Sequence, residues 1–519
     1  MGLLSLIVLA PMAAAVALLF IPTASRAVVR LVSLVGAMVS LVGTLEVIRR
    51  YDLATGGIQL REQLDLVPSM GISWKLGVDG WGVSLLLLTA VIITAGVWAT
   101  WTEQKRSKEF YAWLLVLVTG VFGVFVSLDL FLFFLFYEIA VLPMYLLIGI
   151  WGSTKRIDSD GPFRFAYDML DVGGKEYAAM KLTLMLLAGS ALILAALFGM
   201  VTAGPTTWDL EVLQAREYSR TFQLIAFPAL WVGFGSLAGL FPFHTWSPDG
   251  HASAPTAVSM LHAGVLMKLG AFGVIRVGMV CLPEGAMAWA FVVGTVAVIN
   301  IVWGAVSAMG QKDLKYVVAY SSVSHMGVVM LGAATLTTDG WNGAVFQMFA
   351  HGVMTGLFFA LVGLIYEKAH SRDIFAMGGF AAKMPAVSVF FTIACLSSLG
   401  LPGMAGFAAE VLVFLGAWNS DHSWWAVPGI LGAVITAFYV LRVSRAIFWG
   451  QGPSDAYPDL TDCRGTEWIA PVMLTACILL FGLAPDLLLR FIDVSTVEHL
   501  AWLGAHADGV AVVVEGVQP

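Results

Sequence analysis

Polar residues in this chain gather in short clusters, and between the clusters run long stretches of almost unbroken apolar side chains. There are fourteen such runs, at 3–21, 27–48, 81–101, 110–127, 129–151, 180–201, 221–247, 256–279, 286–308, 313–336, 341–366, 384–418, 423–448 and 467–489. At a rise of about 1.5 Å per residue, roughly twenty residues of helix cross the ~30 Å hydrocarbon layer of a bilayer. Each run is read as one membrane span, numbered 1 to 14, joined by mostly short loops. The pattern predicts an all-α, polytopic membrane protein without strands. Span 1 is expected to remain in the chain, because its basic residues follow the apolar run instead of preceding it.

Composition removes the main alternative. With 59% apolar and 12% charged residues and a mean hydropathy of +0.87, 519 residues cannot supply the charged surface that a soluble protein of this length needs. The net charge of −7 is spread over loops and offers no basic face to a nucleic acid. Cys281, Cys395, Cys463 and Cys477 have no CxxC spacing, so zinc and iron–sulfur sites are not expected, and the chain itself is expected to bind no cofactor. Loops after odd-numbered spans hold roughly twice as many Lys and Arg residues as the opposite side, which predicts both termini outside the cytoplasm.

Two spans are interrupted. LAGLFPFHTWSPDGHASAPTA (237–257) carries Pro242, Pro248 and Pro255, and LSSLGLPGMAGFAAEVLVF (396–414) carries Gly400, Pro402, Gly403 and Gly406. Proline lacks an amide donor and clashes with the preceding turn, so carbonyls are freed at depth, where they must face protein or a wet cavity. The broken spans 7 and 12 each stand fourth in a five-span unit, 4–8 and 9–13. An odd number of spans per unit inverts the second copy, the pattern of inverted-repeat transporters with ion sites at discontinuous helices. The expected division is 1–109 for spans 1–3, 110–280 for the first half-channel with an inserted loop at 156–176, 281–450 for the second, and 451–519 for a loop, span 14 and a tail.

Ionisable groups inside the spans are the candidate chemistry. A charge at the bilayer centre costs about 2.5–3.5 kcal/mol on insertion scales, so such groups are kept for function. Glu138 lies in the middle of FLFFLFYEIAVLPMYLLIGIW. Lys268 lies too deep in span 8 to snorkel, with Gly264 one turn back leaving room beside it. An amine held out of water can load and release a proton near neutral pH. His325 shares a helical face with Ser321 and Ser322, and His351 with Gln347 and Thr355; these are polar stripes able to pass a proton. Glu410 stands beyond the break of span 12 with no Lys or Arg nearby in sequence. His262 is an auxiliary titrating group, about 120° from Lys268 around a straight helix. His244, Asp249 and His251 surround the break of span 7. Their spacing is no metal signature, and they are expected to organise the break. Lys181, near the start of span 6, is expected to snorkel.

FYEIAVLPMYLLIGIWG, FPFHTWSPDGHASAPTAVSMLHAGVLMKLGAFG, DLKYVVAYSSVSHMGVVMLG, FQMFAHGVMTGLFF and LGLPGMAGFAAEVLVF, in this order, resemble the antiporter-like (Mrp-type) subunits of respiratory complex I, and most of all the M-type subunits of bacterial NADH-quinone oxidoreductase. The resemblance covers roughly residues 75–490. It implies two inverted five-helix half-channels along a hydrated polar axis, in a bacterial inner membrane. It also implies neighbouring antiporter-like subunits as partners, with the NADH, flavin, iron–sulfur and quinone sites on other subunits. Carried over by position, Glu138 matches the span 5 glutamate that in relatives pairs with a span 7 lysine, and Lys268 the central lysine. His325 and His351 match the histidines linking the halves, and Glu410 the outward-side glutamate. The implied route runs from Lys268 through His325 or His351 to Glu410. In two respects the chain departs from the family: the loop at 156–176 is an insertion, and the span 7 lysine falls at Leu237, with Lys268 the one Lys or Arg between Thr221 and Ile275. Lys268 is then expected to become the partner of Glu138; the other readings are a Glu138 that binds a proton by itself and a non-conducting scaffold. A subunit of a cation/proton antiporter or of a membrane-bound hydrogenase is the alternative assembly.

Overall fold

The structure, a computed structural model, describes residues 2–154, 173–449, 457 and 460–506. The insertion at 156–176 therefore falls almost wholly outside the described residues. Among the described residues thirteen helices are long and apolar enough to cross a membrane unaided, and the remaining span, 12, is split into Pro385–Ser398 and Ala405–Asn419. Burial is graded across the bundle. Span 8 (Thr256–Met279), span 10 (Leu314–Ala334) and span 11 (Thr338–Ala369) are 100%, 94% and 94% enclosed by protein, against 44%, 39% and 33% for span 1 (Leu3–Phe20), span 2 (Arg26–Arg50) and span 14 (Gly465–Leu483). The three most enclosed spans are those that carry Lys268, His325 and His351. Polar chemistry sits where neighbouring helices, not lipid, surround it.

Two elements depart from the expected pattern. An antiparallel hairpin, β1 (Gln59–Val67) and β2 (Ile72–Val78), precedes span 3 (Gly80–Ala99), where no strand was expected. Its second strand alternates Ile72, Trp74, Leu76 and Val78 with Ser73, Lys75 and Gly77, the period of a strand. Pro68 opens the turn and Gly71, in the left-handed region at φ +66°, closes it. Span 14 ends at Leu483, because Pro485 interrupts the helical hydrogen bonding, and a separate amphipathic helix, Asp486–Ala505, follows. It buries Phe491, Ile492, Thr496 and Leu500 against the start of span 3, where Gly80 N–H donates to Ser495 Oγ (2.8 Å) and Trp81 Nε1 to Thr496 Oγ1 (3.0 Å).

Consecutive spans pack on one another through much of the bundle. Span 4 packs on 5, 5 on 6 and 6 on 7, and likewise 9 on 10, 10 on 11 and 11 on 12. One corner motif occurs twice. Asp129 caps span 5 (Leu130–Trp151) by accepting from the Phe131 and Leu132 amides, while Leu130 N–H donates to Trp208 O and Leu210 N–H to Leu128 O, both at 2.8 Å. Five spans later Asp313 caps span 10 through the Lys315 amide, while Leu314 N–H donates to Arg372 O and Ile374 N–H to Lys312 O, both at 2.9 Å. Each corner pins the start of one span to the loop before a broken span.

Candidate functional site

Span 8 is not a uniform α-helix. π-turns at His262–Leu266 and Val274–Met279 bracket Lys268, and such turns inside α-helices leave backbone carbonyls without their usual partners. Lys268 Nζ donates to one of them, Ala263 O, and lies 2.6 Å from His351 Nδ1 on span 11. The His351 ring stacks on that of His325 at a centroid separation of 5.1 Å and an interplanar angle of 18°. His325 Nδ1 is 2.7 Å from Ser321 O and Nε2 is 3.2 Å from Ser398 O, with Glu410 Oε1 at 3.6 Å. Ser398 is the last residue before the break of span 12, so its carbonyl, freed by the break, meets the imidazole. Both ring nitrogens face acceptors: the protonated ring can donate to both, and the neutral ring to only one. Gly400 holds the turn of the break at φ +71°, and a Cβ there would stand 2.8 Å from Glu410 Oε2. Only glycine gives both the backbone angle and the seat for that carboxylate.

Four of the five principal residues thus form one buried series, Lys268, His351, His325 and Glu410. Glu138 is not among them. Leu135, Leu142 and Tyr145, exposed by 42%, 52% and 48%, mark the outward face of span 5, and Glu138 lies within that stripe. Its enclosed carboxyl faces the enclosed Oγ of Ser190 on span 6 (Lys175–Thr202), and no ion pair joins it to a cation among the described residues. The expected Glu138–Lys268 pair is therefore corrected. The Lys268 ammonium is turned to Ala263 O and His351, and Leu237, where the family has its lysine, is a buried apolar side chain.

The break of span 7 (Arg220–Ser253) is organised by the residues expected there. Trp303 Nε1 donates to His244 Nε2 (3.2 Å), and Asp249 accepts from Tyr316 OH (2.9 Å) and from Lys181 Nζ (2.7 Å). Lys181 does not snorkel; it crosses to the break. His251 stacks on His262 at 3.9 Å.

Sequence reasoning missed three groups. Asn300 of span 9 (Pro283–Gly310) accepts from the Phe241 amide at the break and donates to Val323 O on span 10, both at 2.8 Å. Its one signal was a lone carboxamide in an apolar run. Arg372 and Lys315, read as loop cations, donate at 2.6 Å to Ala252 O and Ala254 O, the terminal carbonyls of the helix Trp246–Ser253, where the helix dipole favours positive charge. Third, Arg276 joins Asp79 Oδ2 (2.8 Å) and His499 Nε2 (2.6 Å) in a buried cluster under the C-terminal helix. Residues this far apart in sequence leave no local pattern.

The profile of the NADH:quinone oxidoreductase/Mrp antiporter transmembrane family matches residues 127–436, a stretch that contains Glu138, Lys268, His325, His351 and Glu410. The chain belongs to that family. An NAD(P)H-quinone oxidoreductase chain 4 of Microcystis aeruginosa is 36% identical over 95% of this chain and 92% of its own length. A chain of respiratory complex I from Thermus thermophilus superposes with a TM-score of 0.85 at 28% identity, over 96% of this chain and all of that one. A chain of the Mrp complex from Dietzia sp. shares the fold, with a TM-score of 0.81 at 19% identity, over 98% of this chain and 100% of that one. The family member described here is a multi-pass membrane protein.

Proposed function

We propose that this chain is a proton-translocating, antiporter-like membrane subunit of a quinone-reducing respiratory complex. Its partners are neighbouring membrane subunits, and the electron-carrying cofactors sit on other chains. The names of its relatives support the assembly. The excess of Lys and Arg after odd-numbered spans supports termini on the non-cytoplasmic side.

The observation that carries the proton reading is the buried series from Lys268 to Glu410, hydrogen-bonded from Lys268 to His351 and ring-stacked from His351 to His325. Lys268 Nζ and His351 Nδ1, at 2.6 Å, exchange a proton along a single hydrogen bond. When the ammonium donates, Nδ1 takes the proton and the amine is left neutral. His351 then gives up the proton from its free Nε2 to His325 by way of one water. His325 hands it to Glu410, 3.6 Å away, at the break of span 12. Glu138 serves the uptake side as a lone carboxyl. Quinone reduction elsewhere in the complex drives the cycle by changing the field at Lys268.

The test is proton pumping in membrane vesicles holding the assembled complex with Lys268→Ala or Glu138→Gln. Lys268→Ala is expected to abolish pumping by this subunit, and Glu138→Gln to weaken it. Normal pumping in both variants with full assembly would sink the relay and leave a scaffold.

A further inference from the structure

Spans 1 and 2 take no part in the series above, and they are among the spans least enclosed by protein. Two glycines let them approach closely. A Cβ at Gly36 would stand 2.7 Å from Ala14 Cβ, and one at Gly43 would stand 2.7 Å from Ile7 Cγ1. Ser40 Oγ ties the pair by donating to Ile7 O at 2.9 Å. Beside this contact runs a groove of about 480 Å³, walled by Leu3 and Leu6 of span 1 and by Leu34, Met38 and Val42 of span 2, with Glu46 at its end. Leu34, Met38, Val42 and Glu46 stand four residues apart on one helix face, so the stripe is hydrocarbon until it reaches a carboxylate. At about 1.5 Å per residue it is roughly 18 Å long, close to the ~15 Å depth of one leaflet.

The head of the groove is charged. Glu46 Oε1 accepts from Arg49 Nη2 and Arg50 Nε, both at 2.6 Å, and Oε2 accepts from Arg49 Nε at 2.7 Å. Two guanidinium groups against one carboxylate leave one net positive charge. Among the described residues Arg49 Nη1 and both terminal nitrogens of Arg50 have no acceptor, and the two side chains are 69% and 52% exposed. Glu62, the carboxylate at the start of span 1, is taken up by the Leu4 amide (2.7 Å) and the Ser5 hydroxyl (2.5 Å), which leaves the arginines to set the sign of the site.

We propose that this groove is a binding site for one anionic phospholipid, with an acyl chain along Leu34, Met38 and Val42 and the phosphate on Arg49 and Arg50. The inference is independent of the proton series. A phospholipid brings both required parts in one molecule: a flexible chain that follows the apolar wall, and phosphate oxygens that match the planar guanidinium fork. A neighbouring membrane helix, 10–12 Å across with its side chains, would cover the groove without filling it and would have to bring its own acid to the level of the arginines. Glu46 holds the two guanidinium groups in place at the mouth, so their free N–H donors converge on one headgroup.

The test uses the assembled complex in phosphatidylcholine vesicles doped with a phospholipid whose acyl chain is photoactivatable, either phosphatidylglycerol or phosphatidylcholine. Cross-links are mapped by peptide mass spectrometry and normalised to the labelling of the whole chain. Phosphatidylglycerol is expected to label residues 34–42 about fivefold more than phosphatidylcholine does, the weight of one basic charge near an anionic lipid. Arg49→Gln with Arg50→Gln should abolish that preference, Glu46→Gln, which leaves two positive charges, should widen it, and high salt should narrow it. Equal labelling by the two lipids overturns the assignment and leaves ordinary bulk lipid in the groove. Absence of labels at 34–42 while the rest of the chain is labelled also overturns it and assigns the groove to a neighbouring subunit. If the double arginine variant does not assemble, Glu46→Gln decides alone, and a preference it leaves unchanged overturns the role of the arginines.

Discussion

Spans 4–8 and spans 9–13 share a corner motif five spans apart and differ in what they hold. Each begins its second span at an aspartate cap pinned to the loop before a broken fourth span, Asp129 in one and Asp313 in the other. In the second unit the second span presents His325 to the fourth span's freed carbonyl and to Glu410. In the first, the second span presents Glu138 to an outward face, and the fourth span answers with Leu237. The same scaffold therefore carries a closed acid–base pair on one side and an open carboxyl on the other. A shared backbone does not oblige the two halves to do equal chemical work.

The largest effect that separates the halves is expected from their carboxylates. Glu410→Gln removes the acceptor at the end of the series and should slow proton release about a hundredfold, within the range for deleting a positioned acid or base. Glu138→Gln removes a carboxyl with no cationic partner and should cost only a small fraction of that. Pumping rates at matched quinone turnover check both. Equal losses would mean that Glu138 is paired in the assembly and that the asymmetry belongs to the isolated chain.

Next in size is Arg276→Met. It leaves Asp79 and His499 buried without their cation, a change that typically costs about 3–5 kcal/mol. Burial opposes ionisation of Asp79, but Arg276 and then His499 hold its carboxyl below the ordinary range, so the carboxylate depends on the guanidinium. Hydrogen exchange should rise first in Asp486–Ala505, which rests on this cluster, and proton pumping should fall less than thermal stability. A helix that stays protected would show that its apolar face suffices to hold it. Gly400→Ala comes third. Its left-handed backbone should cost a side-chain-bearing residue about 1–2 kcal/mol, and the added carbon would displace Glu410. Quinone reduction with reduced pumping is the expected outcome, and unchanged pumping would remove Glu410's seat from the comparison.

Where sequence was a good guide, the cause was a long-range average. Bilayer thickness imposes spans of about twenty residues, so fourteen apolar runs marked fourteen spans, and prolines and glycines marked both breaks. The same averaging hid the hairpin, whose alternation of Ile72, Trp74, Leu76 and Val78 is too short for a membrane-length window. Lys268, His325, His351 and Glu410 were legible because a polar group in an apolar run needs a reason. Which of them meet was not, because Lys268 is aimed by a π-turn that no residue pattern announces. The corner motif was written in the chain four times, as LDLF, WDLE, KDLK and RDIF, but became a repeat only when the backbone bonds paired them.

The smallest expected effect concerns those corners. At the first, the hairpin is clamped from outside the membrane: Arg61 meets Glu211 at 2.5 Å, and Lys75 meets Asp209 at 2.5 Å and Glu211 at 2.9 Å. Arg61, and after it Lys75, holds the Glu211 carboxyl down to about 2, against partial burial that works the other way. A carboxylate lowered in the folded state stabilises fully above its unfolded value, 4.5 here, and loses that contribution as pH falls from there through about 2. Exposed pairs of this kind are worth about 0.2–1 kcal/mol each and weaken with salt. The protection of amides in Gln59–Val78, taken relative to their intrinsic exchange rates at each pH, should therefore fall modestly between about pH 5 and pH 3 and hold steady from pH 5 to 8, and Glu211→Gln should flatten the acid limb. The second corner is the internal reference, because Arg372 and Asp313 are enclosed there, with side chains 8% and 4% exposed. If protection at the two corners falls together, the acid sensitivity belongs to the bundle as a whole and not to the hairpin clamp.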